Sequence, residues 1–127
     1  MDFRFWPEAL PIFAERYGGF DLISSAGSAK NVSSPAKDSH LETIMDNIAT
    51  SILLHGTTRI VLTNHTDCGG YGGSAMFNGH DHEVEFHSSE LKTAERIIRE
   101  RFPEVDVETV ILHKPDGHGE LRLIEVS

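Results

Sequence analysis

The sequence predicts an α/β fold in which helices flank a mostly parallel sheet in three layers, with an antiparallel hairpin at the C-terminus. Residues 58–64 and 107–113 are continuous apolar segments of the kind that form strands buried on both faces. Segments with helical periodicity precede and separate them. Strands separated by helices form βαβ units, and those units build parallel sheets. The 127 residues suit one domain, 1–127, with one core.

Periodicity and end signals predict three helices. The first covers residues 7–17, where a proline suits the first turn and two glycines stop the helix. The second covers residues 41–55, where apolar residues recur at helical spacing. The third is expected to begin at Ser88 or Ser89, either of which can cap it, and to end before Pro103.

Two further segments are predicted as strands at the margins of the sheet. Residues 20–25 form a short apolar segment that leads into a loop of small residues. Residues 121–126 alternate weakly and follow a turn at 115–119, so we expect them to pair antiparallel with 107–113. The glycine-rich, polar segment 69–82 is predicted as loop or short helix.

Composition excludes several classes of function. The formal net charge is −9, from 11 basic and 20 acidic residues, which argues against nucleic acid or an anionic membrane surface as a partner. A single cysteine excludes an intramolecular disulfide framework. No apolar segment approaches the length of a membrane span, and no basic-then-apolar leader opens the chain. We therefore expect a cytoplasmic location.

The most informative motif is the segment Asn-His-Thr-Asp-Cys-Gly-Gly at residues 64–70. His65 and Cys68 follow a predicted buried strand, at the position where open α/β sheets place their ligands. A thiolate and an imidazole are ligands that suit zinc. The motif therefore predicts half of a zinc site.

Cys68 also admits a different interpretation, as a redox-active or nucleophilic cysteine. His65 is close enough in sequence to lower the pKa of the thiol, and the glycines within 69–73 are similar to an anion cradle. Phosphatase-like loops need an arginine that binds the anion, and none follows here. Alkylation separates the two interpretations, because a zinc-bound thiolate is protected until the metal is chelated.

A second group of polar side chains precedes the predicted third helix. It consists of His80, Asp81, His82, Glu83 and His87. A His-x-His pair is able to bind a transition metal. Because the group lies in a polar loop before a helix, we expect a solvated surface instead.

The motif His65-x-x-Cys68-Gly69 after a buried strand resembles the second zinc half-site of the β-class carbonic anhydrases. Residues 20–27 resemble that family's second strand and its Ala-Gly loop, and residues 52–56 resemble its approach to the motif strand. The resemblance covers nearly the whole chain. It implies a lyase that holds Zn²⁺ and reversibly hydrates carbon dioxide to bicarbonate through zinc-bound hydroxide. Relatives in the family also hydrolyse carbonyl sulfide.

The family's first half-site is Cys-x-Asp-x-Arg, and Asp2 and Arg4 match its last two residues with their spacing. The resemblance therefore implies that His65, Cys68 and Asp2 are the metal ligands. It implies that Asp2 and Arg4 form a catalytic gating pair, in which the arginine draws the aspartate off the metal.

The resemblance also implies that Gly27 and Gly69 bind substrate, because glycine lets the backbone approach a ligand closely. The small-molecule substrate would be carbon dioxide or bicarbonate. The family assembles as dimers, so a homodimer or a higher homo-oligomer is expected.

One ligand departs from the family pattern, because the expected cysteine would stand immediately before Met1. Three interpretations stay open: a gene product that starts upstream, a shortened protein that binds zinc weakly or not at all, and a rearranged fold in which another chain supplies the missing strand. The α-amino group of Met1 is a further candidate ligand.

For the chain as written we expect weakened zinc affinity and little hydration activity. If Asp2 must serve as a ligand, Arg4 cannot free it, and a flexible terminus raises the entropic cost of fixing it. A catalytically impaired or non-catalytic zinc-binding scaffold is therefore the alternative function.

Overall fold

The computed structural model describes residues 1–126, except for the side chain of Asp116. The helices are α1 (Trp6–Tyr17), α2 (Lys30–Ser33), α3 (Asp38–His55) and α4 (His80–Arg101). The strands are β1 (Arg59–His65), β2 (Asp106–His113) and β3 (Arg122–Glu125). Short 3₁₀ turns occupy Gly69–Tyr71, Ser74–Met76 and Pro115–Gly117. The fold is α/β, as predicted.

Within these residues the sheet has three strands in the order β1-β2-β3. Strands β1 and β2 are parallel and are connected through α4, which makes a βαβ unit. Strand β3 pairs antiparallel with β2, which confirms the predicted C-terminal pairing. The sheet is therefore mixed, with one parallel and one antiparallel pair, and not mostly parallel as predicted, because the described residues supply only two parallel strands. The three-layer arrangement stays a prediction.

Alternate residues of β2 belong to two separate apolar clusters, because successive strand side chains point to opposite faces. Val107 and Ile111 pack in a cluster with side chains of α2, α3 and α4. Val110 and Leu112 pack in a second cluster with Phe5 and with side chains of α1. The second cluster anchors the first residues of the chain beside the sheet.

The prediction of a strand at residues 20–25 is wrong, because this segment is irregular and pairs with no strand in the described chain. Its apolar side chains are substantially exposed, at 43% for Phe20, 59% for Leu22 and 40% for Ile23. Asp21 tethers the segment to α3 through Ser51 (2.7 Å) and His55. An apolar sequence supplies strand propensity, but a strand also needs a neighbour that donates and accepts hydrogen bonds.

Helix α4 begins at His80, eight residues before the predicted cap at Ser88. Gly79 precedes it with a φ of 95°, and Asp81 and Glu83 lie in its first turn, where acidic side chains favour the helix dipole. Its buried side chains recur at helical spacing; they are Glu83, His87, Leu91, Ala94 and Ile98. Two polar residues thus belong to the buried stripe, which an apolar pattern does not reveal.

Across residues 1–126, no helix combines the length and the apolar character that crossing a membrane requires.

Candidate metal centre

His65 is the last residue of β1, and its ring orientation is fixed on two sides. Its Nδ1 donates to the carbonyl oxygen of Thr66 at 2.7 Å, since a carbonyl can only accept. The ring of Phe5, which is 2% exposed, stacks on the imidazole with centroids 4.4 Å apart. This arrangement leaves Nε2 as the ring nitrogen that can bind a metal once it is deprotonated, as in histidines that bind metals.

Cys68 is buried just beyond β1, in a loop that directs polar groups at its sulfur. Burial alone would raise the pKa of the Cys68 thiol, but a hydrogen bond with His65 and the backbone N–H groups of Gly70 and Tyr71 lower it below its ordinary value. Burial opposes protonation of His65, yet the interaction with Cys68 raises the pKa of its imidazole overall. The pair therefore favours the thiolate, the form that binds zinc.

Asp2 and Arg4 form an ion pair beside these two residues. Arg4 Nη2 lies 2.7 Å from Asp2 Oδ2, Arg4 Nε lies within 3.2 Å of both carboxylate oxygens, and the Arg4 backbone N–H donates to Oδ1 at 2.9 Å. These hydrogen bonds lower the pKa of Asp2 to about 2. Asp2 Oδ2 is 3.6 Å from His65 Nε2. The structure thus brings three of the predicted ligand residues together and pairs the predicted gate.

Asp67 is a second carboxylate on the same guanidinium, for which the sequence pattern predicted no role. Arg4 Nη1 donates to Asp67 Oδ2 at 2.8 Å, and Nη2 donates to the Asp67 carbonyl at 2.9 Å. The backbone of Asp67 is left-handed, with a φ of 55°. The Ser74 N–H and Arg4 together lower the pKa of Asp67. Its position between the two predicted ligands is the sequence signal that could have identified this residue.

Two glycine-containing loops touch at the site. A Cβ added to Gly70 would lie 2.9 Å from the Gly27 Cα and 3.5 Å from the Cys68 Sγ, closer to backbone than real Cβ atoms come. Gly27 itself has a φ of 78°. A Cβ on Gly69 would meet no atom within 4 Å. The crowded glycine of the motif is therefore Gly70, and the substrate role of Gly27 and Gly69 stays a prediction.

Asn64, which is buried on β1, forms hydrogen bonds with residues of both loops and with α4. Its Oδ1 accepts the Ala29 N–H at 3.1 Å, and its Nδ2 donates to the Tyr71 hydroxyl at 3.1 Å and to His87 Nδ1 at 3.2 Å. His87 is fully buried. Asn64 lies in the motif, but its sequence position predicted no role for it, and His87 and Glu83 were expected on a solvated surface. Their burial shows that this expectation was wrong.

The donor set fits one half of a zinc site. His65 Nε2 and the Cys68 thiolate are suitable ligands, and Asp2 is close, but Arg4 engages both oxygens of its carboxylate. No group of three or more His, Cys, Asp and Glu side chains stands ready to hold a metal ion anywhere in residues 1–126. Because Cys68 is the single cysteine, this chain supplies no second thiolate.

The chain is similar to two uncharacterized bacterial proteins. It is 30% identical over 96 residues to an uncharacterized protein of Rickettsia conorii, a match that covers 73% of this chain and 52% of that protein. It is 28% identical over 96 residues to an uncharacterized protein of Rickettsia bellii, covering 73% of this chain and 58% of that protein. The chain therefore spans about half the length of these curated relatives. No solved structure gives a significant match.

A family model agrees with the resemblance carried by the motifs. The model of the family described as "Putative carbonic anhydrase" matches residues 1–118, from the Asp2–Arg4 pair through the His65–Cys68 loop to the end of the sheet's second strand and beyond. Because this match covers far more than half of the sequence, the chain belongs to that carbonic anhydrase family.

Proposed function

We propose that this protein is a zinc-dependent lyase that reversibly hydrates carbon dioxide to bicarbonate. One observation carries the proposal: the Asp2–Arg4 pair stands 3.6 Å from His65 Nε2, beside a buried cysteine whose surroundings favour the thiolate. Membership of the carbonic anhydrase family supports the same chemistry. The activity of the whole protein is part of the proposal, because the chain spans about half the length of its curated relatives.

His65 and Cys68 would hold the zinc, with Asp2 as the nearest further donor. Zinc bound there would act as a Lewis acid that makes water acidic enough to react at neutral pH. The hydrogen bond from His65 Nδ1 to the Thr66 carbonyl orients the ring, so that Nε2 is the nitrogen that would bind the metal after losing its proton. The N–H groups of Gly70 and Tyr71 stabilise the negative charge on Cys68.

Arg4 would control the availability of Asp2. Its guanidinium holds both oxygens of Asp2, so the carboxylate stays ionised and turned toward the arginine. With Asp2 held in this way, one position on a bound zinc would stay available to water. The proposed substrate is carbon dioxide, and carbonyl sulfide has a similar size and shape.

A specific observation favours a second candidate, a zinc-binding protein with little or no catalytic activity. Catalytic zinc sites use three protein ligands and keep one position for water. If Asp2 supplies the third ligand, it must leave Arg4, and the gate is then lost. The hydration rate of the zinc-loaded protein separates the two candidates.

The experiment measures zinc per chain by elemental mass spectrometry on untagged protein, and then carbon dioxide hydration by stopped flow. We expect zinc to bind with an affinity weakened by the lack of a second thiolate, and the zinc-loaded protein to hydrate carbon dioxide only slowly, though faster than buffer. His65→Ala and Cys68→Ala should both lose the metal, whereas His40→Ala, an exposed histidine, should keep it. Zinc retained by Cys68→Ala would contradict the ligand assignment, and a loaded protein without hydration would support the second candidate.

We also propose that the protein forms a homodimer. Several large apolar side chains are exposed; they include Phe3 at 79%, Trp6 at 51% and Leu53 at 82%. Burying such surface is favourable, and β1 offers an unpaired edge. Size-exclusion chromatography with light scattering tests this, and a stable monomer at high micromolar concentration would count against it.

A further inference from the structure

A buried carboxylate on α4 supports the loop that carries Cys68. Glu83 is 4% exposed, and its Oε1 accepts the Asp67 backbone N–H at 2.6 Å. Its Oε2 accepts the Ser74 hydroxyl at 2.8 Å. A charged group out of contact with water is costly unless hydrogen bonds compensate it, and here those bonds come from the loop.

No cation close to Glu83 explains its burial. Among the described residues no lysine or arginine forms a salt bridge with it, and the nearest basic group is His87 Nε2 at 3.8 Å, beyond hydrogen-bond distance. His87 Nδ1 accepts from Asn64, so Nε2 carries the proton, and burial lowers the pKa of this histidine. The loop is therefore the principal partner of the Glu83 carboxylate.

Glu83 fixes Asp67, and Asp67 fixes Arg4. Every polar group of Asp67 is used: its N–H by Glu83, its carbonyl and Oδ2 by Arg4, and its Oδ1 by the Ser74 N–H at 2.9 Å. Its left-handed backbone is costly for a residue other than glycine, so these contacts must hold it there.

The Asp2–Arg4 pair needs this anchor because its own contacts are local. The two residues are separated by one residue and can move together as part of the N-terminal segment. Asp67 lies 63 positions further along the chain and connects the pair to the loop that holds Cys68. Without it, the N-terminal segment would be free to move, so the Asp2–Arg4 ion pair would open part of the time and would lose its register with His65.

We propose that Glu83 is a positioning residue, which acts through Asp67 and Arg4 to set where the Asp2 carboxylate stands relative to His65. A role of Glu83 in catalysis rests on the proposed function, whereas its hydrogen bonds do not depend on that proposal. Glu83 contacts neither Asp2 nor the guanidinium, so its effect is transmitted by the loop. The proposal couples the first turn of α4 to the gating pair.

The test observes Arg4 directly, in zinc-free, full-length protein. In ¹⁵N-labelled protein an arginine held in an ion pair gives a resolved Nε–Hε resonance, which Arg4→Lys identifies. We expect Glu83→Ala to shift this resonance toward that of a free arginine, and Asp67→Asn to do the same. The matched control is Glu85→Gln, an exposed carboxylate on the same helix, which should leave the resonance unchanged. Zinc affinity by chelator competition should fall about tenfold in Glu83→Ala, as when supporting residues of metal sites are removed.

Two conservative variants separate positioning from general stability. Glu83→Gln retains an oxygen that accepts the Asp67 N–H, so it should restore the Arg4 resonance. Glu83→Asp keeps the charge but is one methylene shorter, so it should show the same shift of the Arg4 resonance as Glu83→Ala. This variant provides the test if Glu83→Ala fails to fold. An unchanged Arg4 resonance in a folded Glu83→Asp or Glu83→Ala protein would overturn the proposal.

The outcome for the proposed function is separate. A protein that never hydrates carbon dioxide but shows the expected Arg4 response refutes the enzyme assignment and leaves the positioning role standing. If the protein hydrates carbon dioxide but its Arg4 resonance is unchanged by substitution of Glu83, only the positioning role is refuted.

Discussion

Gly70→Ala provides the sharpest test of the contact between the two glycine loops, because the adjacent glycine is its control. The new Cβ would lie 2.9 Å from the Gly27 Cα and 3.2 Å from the Gly27 nitrogen. Both are backbone atoms, so no flexible side chain can move aside. Overpacking of this kind costs about 1–3 kcal/mol. At roughly 2 cal/mol/K of unfolding entropy per residue, the chain should lose about 4–12 °C in Tm.

Thermal unfolding by circular dichroism measures this loss. Gly69→Ala should be close to neutral, or stabilising by up to about 1 kcal/mol, because its Cβ has open space and alanine restricts the unfolded chain. The Gly70 N–H also stabilises the Cys68 thiolate, so Gly70→Ala should weaken zinc binding as well. Equal Tm values for the two variants would refute the reasoning, because the close approach would then impose no steric cost.

Three further predictions concern the core, the thiol and the gate. Ile111→Ala, at a fully buried position, should lower the free energy of unfolding by about 2–5 kcal/mol in urea titrations. Glu42→Ala, at an exposed position of α3, should change it by less than about 0.5 kcal/mol; similar losses would contradict the assigned core. Iodoacetamide should modify Cys68 in zinc-free protein, and zinc should block the reaction until a chelator is added; equal rates with and without zinc would argue against ligation. The pKa of Asp2 is lowered from 3.8 to about 2, so its ion pair stabilises the fold above pH 4, and this stabilisation is lost as the pH falls toward 2. The difference in unfolding free energy between wild type and Asp2→Asn should therefore shrink over that pH range. A constant difference would exclude the ion pair as its source.

Local patterns were sufficient to predict most of the helices and strands. Helix α1 and helix α3 begin one and three residues before the predicted starts and end where expected, because apolar spacing and terminal glycines act within one or two turns. Strands β1 and β2 followed from continuous apolar segments. The parallel pairing of these two strands follows from the helix that connects them.

The failures share a physical cause, which is dependence on distant partners. Residues 20–25 have strand composition but lack a neighbouring strand, and pairing is not a property of the segment alone. The first turns of α4 bury Glu83 and His87, whose polarity disguised the helical stripe. Polar residues are buried when hydrogen-bond partners elsewhere in the fold receive them.

The candidate site shows the same division. His65 and Cys68 were recognisable because both lie in one short motif after a strand. The roles of Asp67 and Glu83 come from hydrogen bonds to residues 63 and 16 positions away, respectively. Such contacts exist only after the chain has folded, so the spacing of residues in the sequence does not predict them.

The arginine shared by Asp2 and Asp67 also affects how the protein folds and opens. Contacts between residues far apart in sequence form late, because the entropy lost on closing a long loop precedes the favourable energy of the contact. The sheet and α4 can therefore assemble first, with the N-terminal segment docking onto them afterwards. We expect the same segment to detach in the native protein as a local opening that leaves the core intact. Hydrogen exchange should find the amides of residues 2–5 less protected than those of β2, and each opening would offer a metal ion a route to Cys68 without unfolding of the sheet.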